Sequence, residues 1–561
     1  MKTVFKVFIF IQFFTTFFSS IHAQNFKLIV HSKDSSNIIT LNSIPYNKVH
    51  ISEKNINTEI KNISKKLALK GYINNSYLLN KTDSIFNCVF SLNNKIEKIR
   101  IYYSNKFIDN TVLQIISLNY TNTYFEIATN QIENSLNSIV NYFENKGASF
   151  TNVSLINLTQ LGNKLTAELN LNISEKRKIN NIIIKGYNDF SIKYLNNYLN
   201  LKQHTTFNLN TLETIDKLVN TISFVTQLKK PEILFTKDST TLYLYLKKKA
   251  NNTFDGILGF SNEKNSNNLK FNGYLDLILN NMFNKGESFG LNWKSNGDDT
   301  QTLNLKLTTP YIFNTRFSPS GEFSIFKQDS TYVNTKSLFK IKYSINKHNF
   351  INALLNNEVS TISSSNTLDE IDNFKTILFG LSYTFKMLPK HELNNRSKFA
   401  ITASYLLGNK TANQLKSNQN KIQLLAEYNL ELNHKNLIYF KTTNKLLNAS
   451  NLFQNELFRI GGTNSIRGFD EQSIFTSKYS VTNIEYHYII NQTTHLYSIT
   501  DFAIALDNFT NSTTKLYGIG LGYYFNTKSS IINLSYAIGK NNELPFGFKN
   551  SKVHIKVTYP F

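Results

Sequence analysis

The end of the chain alternates between apolar and polar residues with a strict period of two. The apolar set is Val553, Ile555, Val557, Tyr559 and Phe561, and the polar set is Lys552, His554, Lys556, Thr558 and Pro560. Such alternation predicts a β-strand with one apolar face. Pro560 lacks an N–H group, and the end of a strand is where that loss is tolerated.

Segments of the same kind fill the chain from about residue 254 to its end, and turns rich in Asn, Lys, Ser and Gly separate them. We count sixteen such segments. They include 268–279, 287–294, 301–312, 336–345, 375–385, 398–407, 421–432 and 436–447. An even number of alternating strands is typical of antiparallel barrels of the bacterial outer membrane. The sequence therefore predicts a 16-stranded antiparallel transmembrane β-barrel over residues 251–561.

Before residue 250 the apolar residues recur with a helical period. Amphipathic helices are predicted over Ile56–Lys70, Ile127–Lys146 and Asn210–Phe224. Gly71 and Gly147 follow the first two, as expected of residues that end a helix in the left-handed conformation. Strands are predicted at 26–30, 74–79, 85–92, 95–103, 153–158, 165–173, 179–184, 232–235 and 241–246. The first half is therefore predicted to be α+β, as three repeats of about 75 residues at 24–93, 94–175 and 176–250.

The first 23 residues have the pattern of a secretory signal peptide. Lys2 and Lys6 form a basic start, Val7–Phe18 is apolar, and Ala23 supplies the small residue of a cleavage site. This pattern predicts export, which leaves the protein no obvious route to DNA. The net charge of +23 is dispersed, so we interpret it as compositional bias and predict no nucleic-acid partner.

Composition and motifs argue against an enzyme. Aromatic residues make up 13% of the chain, with 44 Phe and 30 Tyr, which suits strands. The sequence contains no nucleophile elbow, zinc-protease motif, P-loop or dinucleotide turn. The single cysteine, Cys88, can form no internal disulfide. We therefore expect no catalytic residue, cofactor or metal site.

A glycine-rich motif lies between the eleventh and twelfth predicted barrel strands. It contains the pair Gly461 and Gly462, and then the run Ile466, Arg467, Gly468 and Phe469. In a loop before the fifth strand from the C-terminus, this motif resembles the lid-loop signature of the BamA/TamA superfamily of outer-membrane assembly factors, of the bacterial surface antigen type. The repeats of the first half resemble polypeptide-transport-associated (POTRA) domains. The resemblance implies that a lid loop at about 450–476 folds into the barrel lumen and that its arginine contacts acidic residues on the inner wall.

Strand parity nominates two acidic partners for Arg467. The side chains of Glu485 and Asp501 both point inward on neighbouring predicted strands. Asp501 lies in Ile499-Thr500-Asp501-Phe502-Ala503, a partial match to the Phe-x-Asp-x-Gly pattern of the superfamily. Parity also places Gly518, Gly520 and Gly522 on one face, which predicts a groove free of side chains.

Barrel closure is expected between the first strand, near Phe254–Phe260, and the last strand, Val553–Phe561. Asp255, Gly256, Gly259 and Ser261 make the first strand a poor β-former, so this seam is expected to be weak. Val557, Tyr559 and Phe561 are the candidate closure and C-terminal signal residues, since barrel strands that the insertion machinery recognises end on an aromatic residue.

The resemblance implies an insertase or translocase that assists the assembly or export of proteins, located in the bacterial outer membrane with its POTRA half in the periplasm. Its partners would be unfolded outer-membrane or secreted client proteins, outer-membrane lipid, and a periplasmic or inner-membrane accessory protein. A two-partner secretion pore for a dedicated exoprotein is the alternative, although such pores usually carry two POTRA domains and a Pro-rich linker. A passive porin is disfavoured because it needs no N-terminal modules.

Overall fold

The computed structural model describes residues 25–561, except for 162–163, 202–204, 263–268, 296–299, 330, 364–369, 388–396, 507–510, 528, 543–544 and 549–550. The predicted signal peptide lies outside the described residues. The chain forms two compact units. The first ends at Lys178 and also includes Thr206–Asn210, and the second comprises Ile179–Thr205 and Thr211–Phe561.

The first unit contains two sheets. We call each sheet, together with the helices near it in the chain, a module, and number these the first and second modules. The first module consists of β1 (Phe26–Ser32), α1 (Ile38–Asn42), β2 (Val49–His50), α2 (Glu53–Leu69), β3 (Ser76–Thr82) and β4 (Ile85–Ser91), with a 3₁₀ turn at Ser35–Asn37. Its strand order is β2-β1-β4-β3. Helix α2 buries Ile56, Ile60, Ile63 and Leu67, so its apolar period of three or four residues faces the sheet.

The second module consists of β5 (Lys98–Tyr102), α3 (Asn110–Ile116), β6 (Asn119–Tyr120), β7 (Tyr124–Ala128), α4 (Ile132–Asn145), β8 (Asn152–Leu161) and β9 (Lys164–Asn172), with a 3₁₀ turn at Thr129–Gln131. The predicted start of its helix at Ile127 is wrong, because Ile127 pairs with Ile99 in the sheet. Phe125 and Ile127 are both buried at a spacing of two, which suits a strand. Gly147 follows the helix with a φ of +96°, as the sequence predicted.

The third module belongs to the second unit, apart from Leu209 and Asn210 at the start of its second helix, which belong to the first unit. It consists of β10 (Asn181–Lys185), α5 (Ile192–Tyr198), α6 (Leu209–Val219), β11 (Val225–Phe235) and β12 (Thr240–Lys248), in the sheet order β10-β12-β11. Strand β11 begins earlier than predicted and has register shifts between Gln227 and Glu232. The irregular stretch contains Pro231, which cannot donate to a sheet. Among the described helices, none is both long enough and apolar enough to cross a bilayer.

The barrel is closed and has sixteen antiparallel strands, which confirms the predicted fold class. The strands are β13 (Thr253–Asn262), β14 (Leu269–Asn280), β15 (Ser288–Ser295), β16 (Gln301–Thr308), β17 (Phe317–Gln328), β18 (Tyr332–Ser344), β19 (Asn349–Ile362), β20 (Phe374–Met387), β21 (Phe399–Ala412), β22 (Leu415–Asn433), β23 (Asn436–Ala449), β26 (Lys478–Asn491), β27 (Thr494–Leu506), β28 (Thr513–Asn526), β29 (Ile531–Lys540) and β30 (Ser551–Pro560). A short hairpin of β24 (Phe458–Ile460) and β25 (Ile474–Thr476) lies between β23 and β26. We call the end where β13 begins and β30 ends the proximal end of the barrel, and the opposite end the distal end.

Alternate residues of the barrel strands face outward and are apolar. Phe379 and Leu407, which pair across β20 and β21, are 60% and 53% exposed. The preceding residue on each strand, Leu378 or Leu406, is buried. Buried polar residues line the inner face, including Asn352, Ser382 and Asp501. An apolar exterior around a polar lumen is the pattern of a transmembrane barrel.

The third module is bonded to proximal turns of the barrel. The hydroxyl of Tyr187 donates to the Asn284 side chain at 2.6 Å and accepts from the Asn281 amide at 2.9 Å. The ring of Tyr194 lies where a Cβ atom at Gly286 would be, so only glycine fits there. Burial raises the pKa of Tyr194 well above its ordinary value. This module is therefore packed on the barrel through buried aromatic and amide groups.

Candidate functional site

The lid loop comprises residues 450–477, between β23 and β26, at the distal end of the barrel. Its hairpin pairs Phe458 with Thr476 and Ile460 with Ile474. Between the two hairpin strands the chain carries the glycine-rich motif. Arg467, in that motif, is only 8% exposed, so the loop holds the guanidinium inside the protein.

Arg467 is bound by both carboxylates that parity nominated. Its Nε donates to Oδ2 of Asp501 at 2.8 Å and its Nη2 donates to Oδ1 at 2.6 Å, which makes a bidentate pair. The Nη1 group donates to Oε1 of Glu485 at 2.5 Å. The backbone N–H of Arg467 also donates to Asp501, at 2.9 Å. Asp501 therefore holds both the side chain and the backbone of the loop.

Neighbouring side chains complete the environment of the two carboxylates. Asn483 donates to Asp501 Oδ1 and to the carbonyl of Ser465 in the loop, both at 2.8 Å. The His487 ring lies 2.8 Å from Glu485 Oε2. Because all of these groups are buried, each charge depends on its partners rather than on water.

Apolar residues of the motif pack beside the ion pairs. Ile466 is fully buried and Phe469 is 9% exposed. Both belong to one cluster with wall residues of β26, β27 and β28. These wall residues are Val481, Ala503, Ala505 and Leu516. The small Ala503 stands at the position where the superfamily pattern has glycine, and it still leaves room for the loop.

Glycines of the wall allow the loop backbone to touch it. A Cβ atom at Gly518 would collide with the Arg467 carbonyl, and one at Gly539 would collide with the Gly468 carbonyl. Only the first of the three glycines predicted to form a groove contacts the loop, since Gly520 lies against the Tyr536 carbonyl and Gly522 against the Tyr497 ring. Gly539 carried no sequence signal, because its role depends on which strand neighbours β28.

The double glycine has a local role. Gly461 and Gly462 have φ values of +116° and +86°, and the Gly461 N–H donates to the Ser465 hydroxyl at 2.7 Å. A Cβ atom at Gly461 would collide with the Asp470 carbonyl. The pair therefore forms the turn of the loop, and the close approach to the wall occurs at Gly468.

The lid loop has a second anchor, which the sequence pattern did not predict. Glu456 and Lys410 form an ion pair at 2.5 Å, with each side chain 2% exposed. The Asn455 amide donates to Ser360 and to the Asp372 carbonyl, both at 2.7 Å. These contacts lie on β19, β21 and the loop before β20. The lid loop is thus tied to one wall through Arg467 and to another through Asn455 and Glu456.

The seam between the first and last strands is short. Strands β13 and β30 pair only at Thr253–Pro560 and Phe254–Tyr559 along their described lengths. By contrast, β28 and β29 pair over ten residues. Phe561 and Asn252 exchange two backbone hydrogen bonds, at 2.9 and 3.2 Å, which close the proximal edge. Tyr559 and Phe561 are about half exposed on the outer face, and Val557 pairs with Ile532 of β29.

These features define a class of protein: a closed 16-stranded antiparallel barrel, preceded by small α+β modules, whose lumen holds a loop fixed by a buried arginine. CdiB from Escherichia coli is similar with a TM-score of 0.53 and 11% identity, over 90% of this chain and 98% of that chain. CdiB from Acinetobacter baumannii has a TM-score of 0.50 and 13% identity, over 81% of this chain and 86% of that chain. BamA from Haemophilus ducreyi lacking POTRA domains 1–3 has a TM-score of 0.47 and 13% identity, over 82% of this chain and 99% of that chain.

At these identities the likeness to the two CdiB chains concerns the fold. No family model and no curated protein matches the sequence. The fold implied by the resemblance of the lid motif and the repeats, a barrel preceded by α+β modules, is confirmed.

Proposed function

We propose that the chain is an outer-membrane insertase or translocase of the TamA/BamA kind, which assists the assembly or export of client proteins. The observation that carries this proposal is the seam, where two residue pairs and the backbone bonds of Asn252 to Phe561 close a barrel whose other strands pair extensively. A strand edge that opens exposes unpaired N–H and C=O groups, and an incoming client strand can bind them. A passive pore has no use for such an edge.

The exterior and the turns support the location of the barrel in the bacterial outer membrane, with its modules in the periplasm. Large apolar side chains cover the outside, and Leu381 and Leu521 are 64% and 70% exposed. Two of the proximal turns, 434–435 and 492–493, are two residues long, and the longest connection between barrel strands, 450–477, lies at the distal end. Short periplasmic turns and longer extracellular loops are typical of these barrels. The third module is bonded to the barrel at this end.

A crosslink across the seam tests the mechanism. Leu258 and Ile555 lie four residues beyond the Phe254–Tyr559 pair on their strands, and both face outward. Cysteines at these two positions, joined by a short bismaleimide, should stop client assembly while the barrel stays folded. The matched control is a crosslink between Leu277→Cys and Leu291→Cys, a pair already joined within β14 and β15, which should change nothing. Unchanged assembly with a locked seam would contradict lateral opening.

Depletion in the native organism, followed by proteomics of the outer membrane and the medium, tests the function itself. An insertase should lower several β-barrel proteins together. Loss of one exoprotein from the medium, with a normal outer membrane, would instead favour the two-partner secretion pore.

A further inference from the structure

The third module and the proximal barrel mouth enclose a cleft of about 470 Å³. Side chains from α5, the β16–β17 and β18–β19 turns, and strands β18 to β21 line it. Its cationic members are Arg316, Lys340, Lys342, Lys347 and Lys386. The described lining contains no Asp or Glu. We call these five residues and their surroundings the basic cleft.

No described carboxylate forms an ion pair with the positive charges of the basic cleft. Glu322 is the acidic residue that acts on Lys340, and its carboxylate is already paired with Lys306 at 2.6 Å. Lys342 has Lys340 and Lys386 as its charged neighbours. Arg316 donates to the Asn200 side chain at 2.5 Å and to the Ile345 carbonyl at 2.9 Å, which are neutral acceptors. Elsewhere in the lumen, by contrast, Lys421 pairs with Glu358 at 2.9 Å. Uncompensated cations in a concave site attract anions.

Strand parity turns the cleft away from lipid. On β18 the residues Phe339, Ile341 and Tyr343 are exposed on the outer face, so Lys340 and Lys342 between them face the lumen. A bilayer headgroup outside the barrel therefore lies on the wrong side of the wall. A polypeptide that enters the lumen from the proximal end passes these residues.

The neutral part of the lining suits an extended polypeptide. Asn197, Asn346 and Thr384 offer amide and hydroxyl groups to a backbone, and Tyr198 and Phe350 offer ring surfaces. The cleft volume lies within the ordinary range of built binding sites. The hydrogen bonds of Tyr187 to the barrel turn hold the third module in place, so the walls of the cleft are set before a ligand arrives.

We propose that the basic cleft binds acidic segments of polypeptide clients, through carboxylates that contact Lys340, Lys342, Lys386 and Arg316. This inference rests on the proposed function and names its substrate class. Unfolded clients rich in Asp and Glu would be held at the mouth of the lumen, while neutral or basic stretches would not.

The test uses the full-length protein in nanodiscs and two short fluorescent peptides, one of alternating Ser and Asp and one of alternating Ser and Asn. Fluorescence polarisation should show salt-sensitive binding of the acidic peptide and none of the neutral peptide. The variant Lys342→Gln/Lys386→Gln should weaken binding about tenfold or more. The variant Lys441→Gln/Lys445→Gln removes the same charge from the lumen wall of β23 and should bind as the wild type does. Heat-modifiable migration on a gel checks that each variant is folded.

Equal binding of both peptides, or equal loss in both variants, would overturn the cleft as an acidic-peptide site. Full displacement by inorganic phosphate at equal charge would reduce it to a small-anion site. Loss of peptide binding in phosphatidylglycerol nanodiscs, with binding kept in phosphatidylcholine nanodiscs, would assign the cleft to lipid. Binding is measured without client assembly, so a positive result combined with a normal outer membrane and normal exported proteins after depletion would reject the proposed function and retain the site.

Discussion

At the scale of single residues, Arg467 fixes the lid loop to the barrel wall through its hydrogen bonds to two acidic side chains. Three of its N–H groups go to Asp501 and one goes to Glu485, and all three residues are buried. An ion pair in such surroundings is not a strong net source of stability, because each charge has lost its water. Removal of one partner, however, leaves the other charge buried and uncompensated.

Substitution of Arg467 should release the lid loop. Arg467→Ala is expected to cost about 3 kcal/mol locally, to raise protease sensitivity within residues 455–475, beyond the stretch that Asn455 and Glu456 hold, and to lower activity. Arg467→Lys should restore part of the effect, since an ammonium lacks the planar fork that binds Asp501 at two points. Limited proteolysis followed by mass spectrometry measures the change.

Substitution of the two acidic partners of Arg467 should loosen the lid loop to different extents. Asp501→Ala should resemble Arg467→Ala, and the double variant should be little worse than either single one. Glu485→Gln should be milder, because Glu485 receives one hydrogen bond from Arg467. Additive losses, or a loop that protease already cuts fully in the wild type, would count against the lock.

Cys88 offers a probe of the first module. It lies fully buried on β4, and burial raises the pKa of its thiol to about 12. Because the thiolate is the reactive form, maleimide at neutral pH should leave the folded protein unlabelled and modify Cys88 only after denaturation. Rapid labelling under native conditions would show that the first module opens enough to expose Cys88.

At the scale of elements, the lid loop is held at two places. The Asn455 and Glu456 contacts are distinct from those of Arg467 and use other strands. The ammonium of Lys410 also lies 3.9 Å from the centre of the Phe453 ring, which is itself part of the loop. A loop with two anchors should lose order in two separate steps.

Disruption of the second anchor should loosen one end of the loop only. Glu456→Gln leaves Lys410 without its carboxylate, so protease sites should open near 450–457 while 463–469 stays protected. Combination with Arg467→Ala should then open the whole loop. Glu322→Gln provides the control, because it removes an exposed ion pair with Lys306 and should not change the digest. Protection of all residues in Glu456→Gln would show that Arg467 alone holds the loop.

At the scale of the whole molecule, the proposed bilayer location gives a direct prediction. A closed barrel resists detergent at room temperature, so the folded chain should migrate differently on a gel before and after boiling. Phe561→Ala and removal of Phe561 should both impair assembly, and removal should be worse because it also deletes the two backbone bonds to Asn252. Phe548→Ala, at an exposed distal position, is the matched control. Recovery of the protein in the soluble periplasmic fraction would end this interpretation.

The sequence predicted the fold and the acidic residues that face Arg467 because strand parity is a local rule. A residue two positions away points the same way whatever its neighbours are, so Glu485 and Asp501 could be assigned inward without a structure. The helix start at Ile127 failed because Phe125 and Ile127 also fit a strand. Lys410 and Glu456 could not be paired, since their contact depends on the path of a loop across the lumen. Gly539 was missed for the same reason.

Because the lid loop is attached at two places, it links two separate parts of the barrel wall across the lumen and should hold them at a fixed distance. The lid loop joins β19 and β21 to β26, β27 and β28, and a salt bridge from Asp470 to Lys552 extends this link to β30. No contact of this kind is seen between the lid loop and the described residues of the first four strands, and the third module is bonded to turns among them. If the barrel opens at the short seam between β13 and β30, the two edge strands would therefore move by different amounts. Strand β30 would stay in place with the strands that the lid loop holds. Strand β13 would move outward together with the third module, so a force on that module could open the seam.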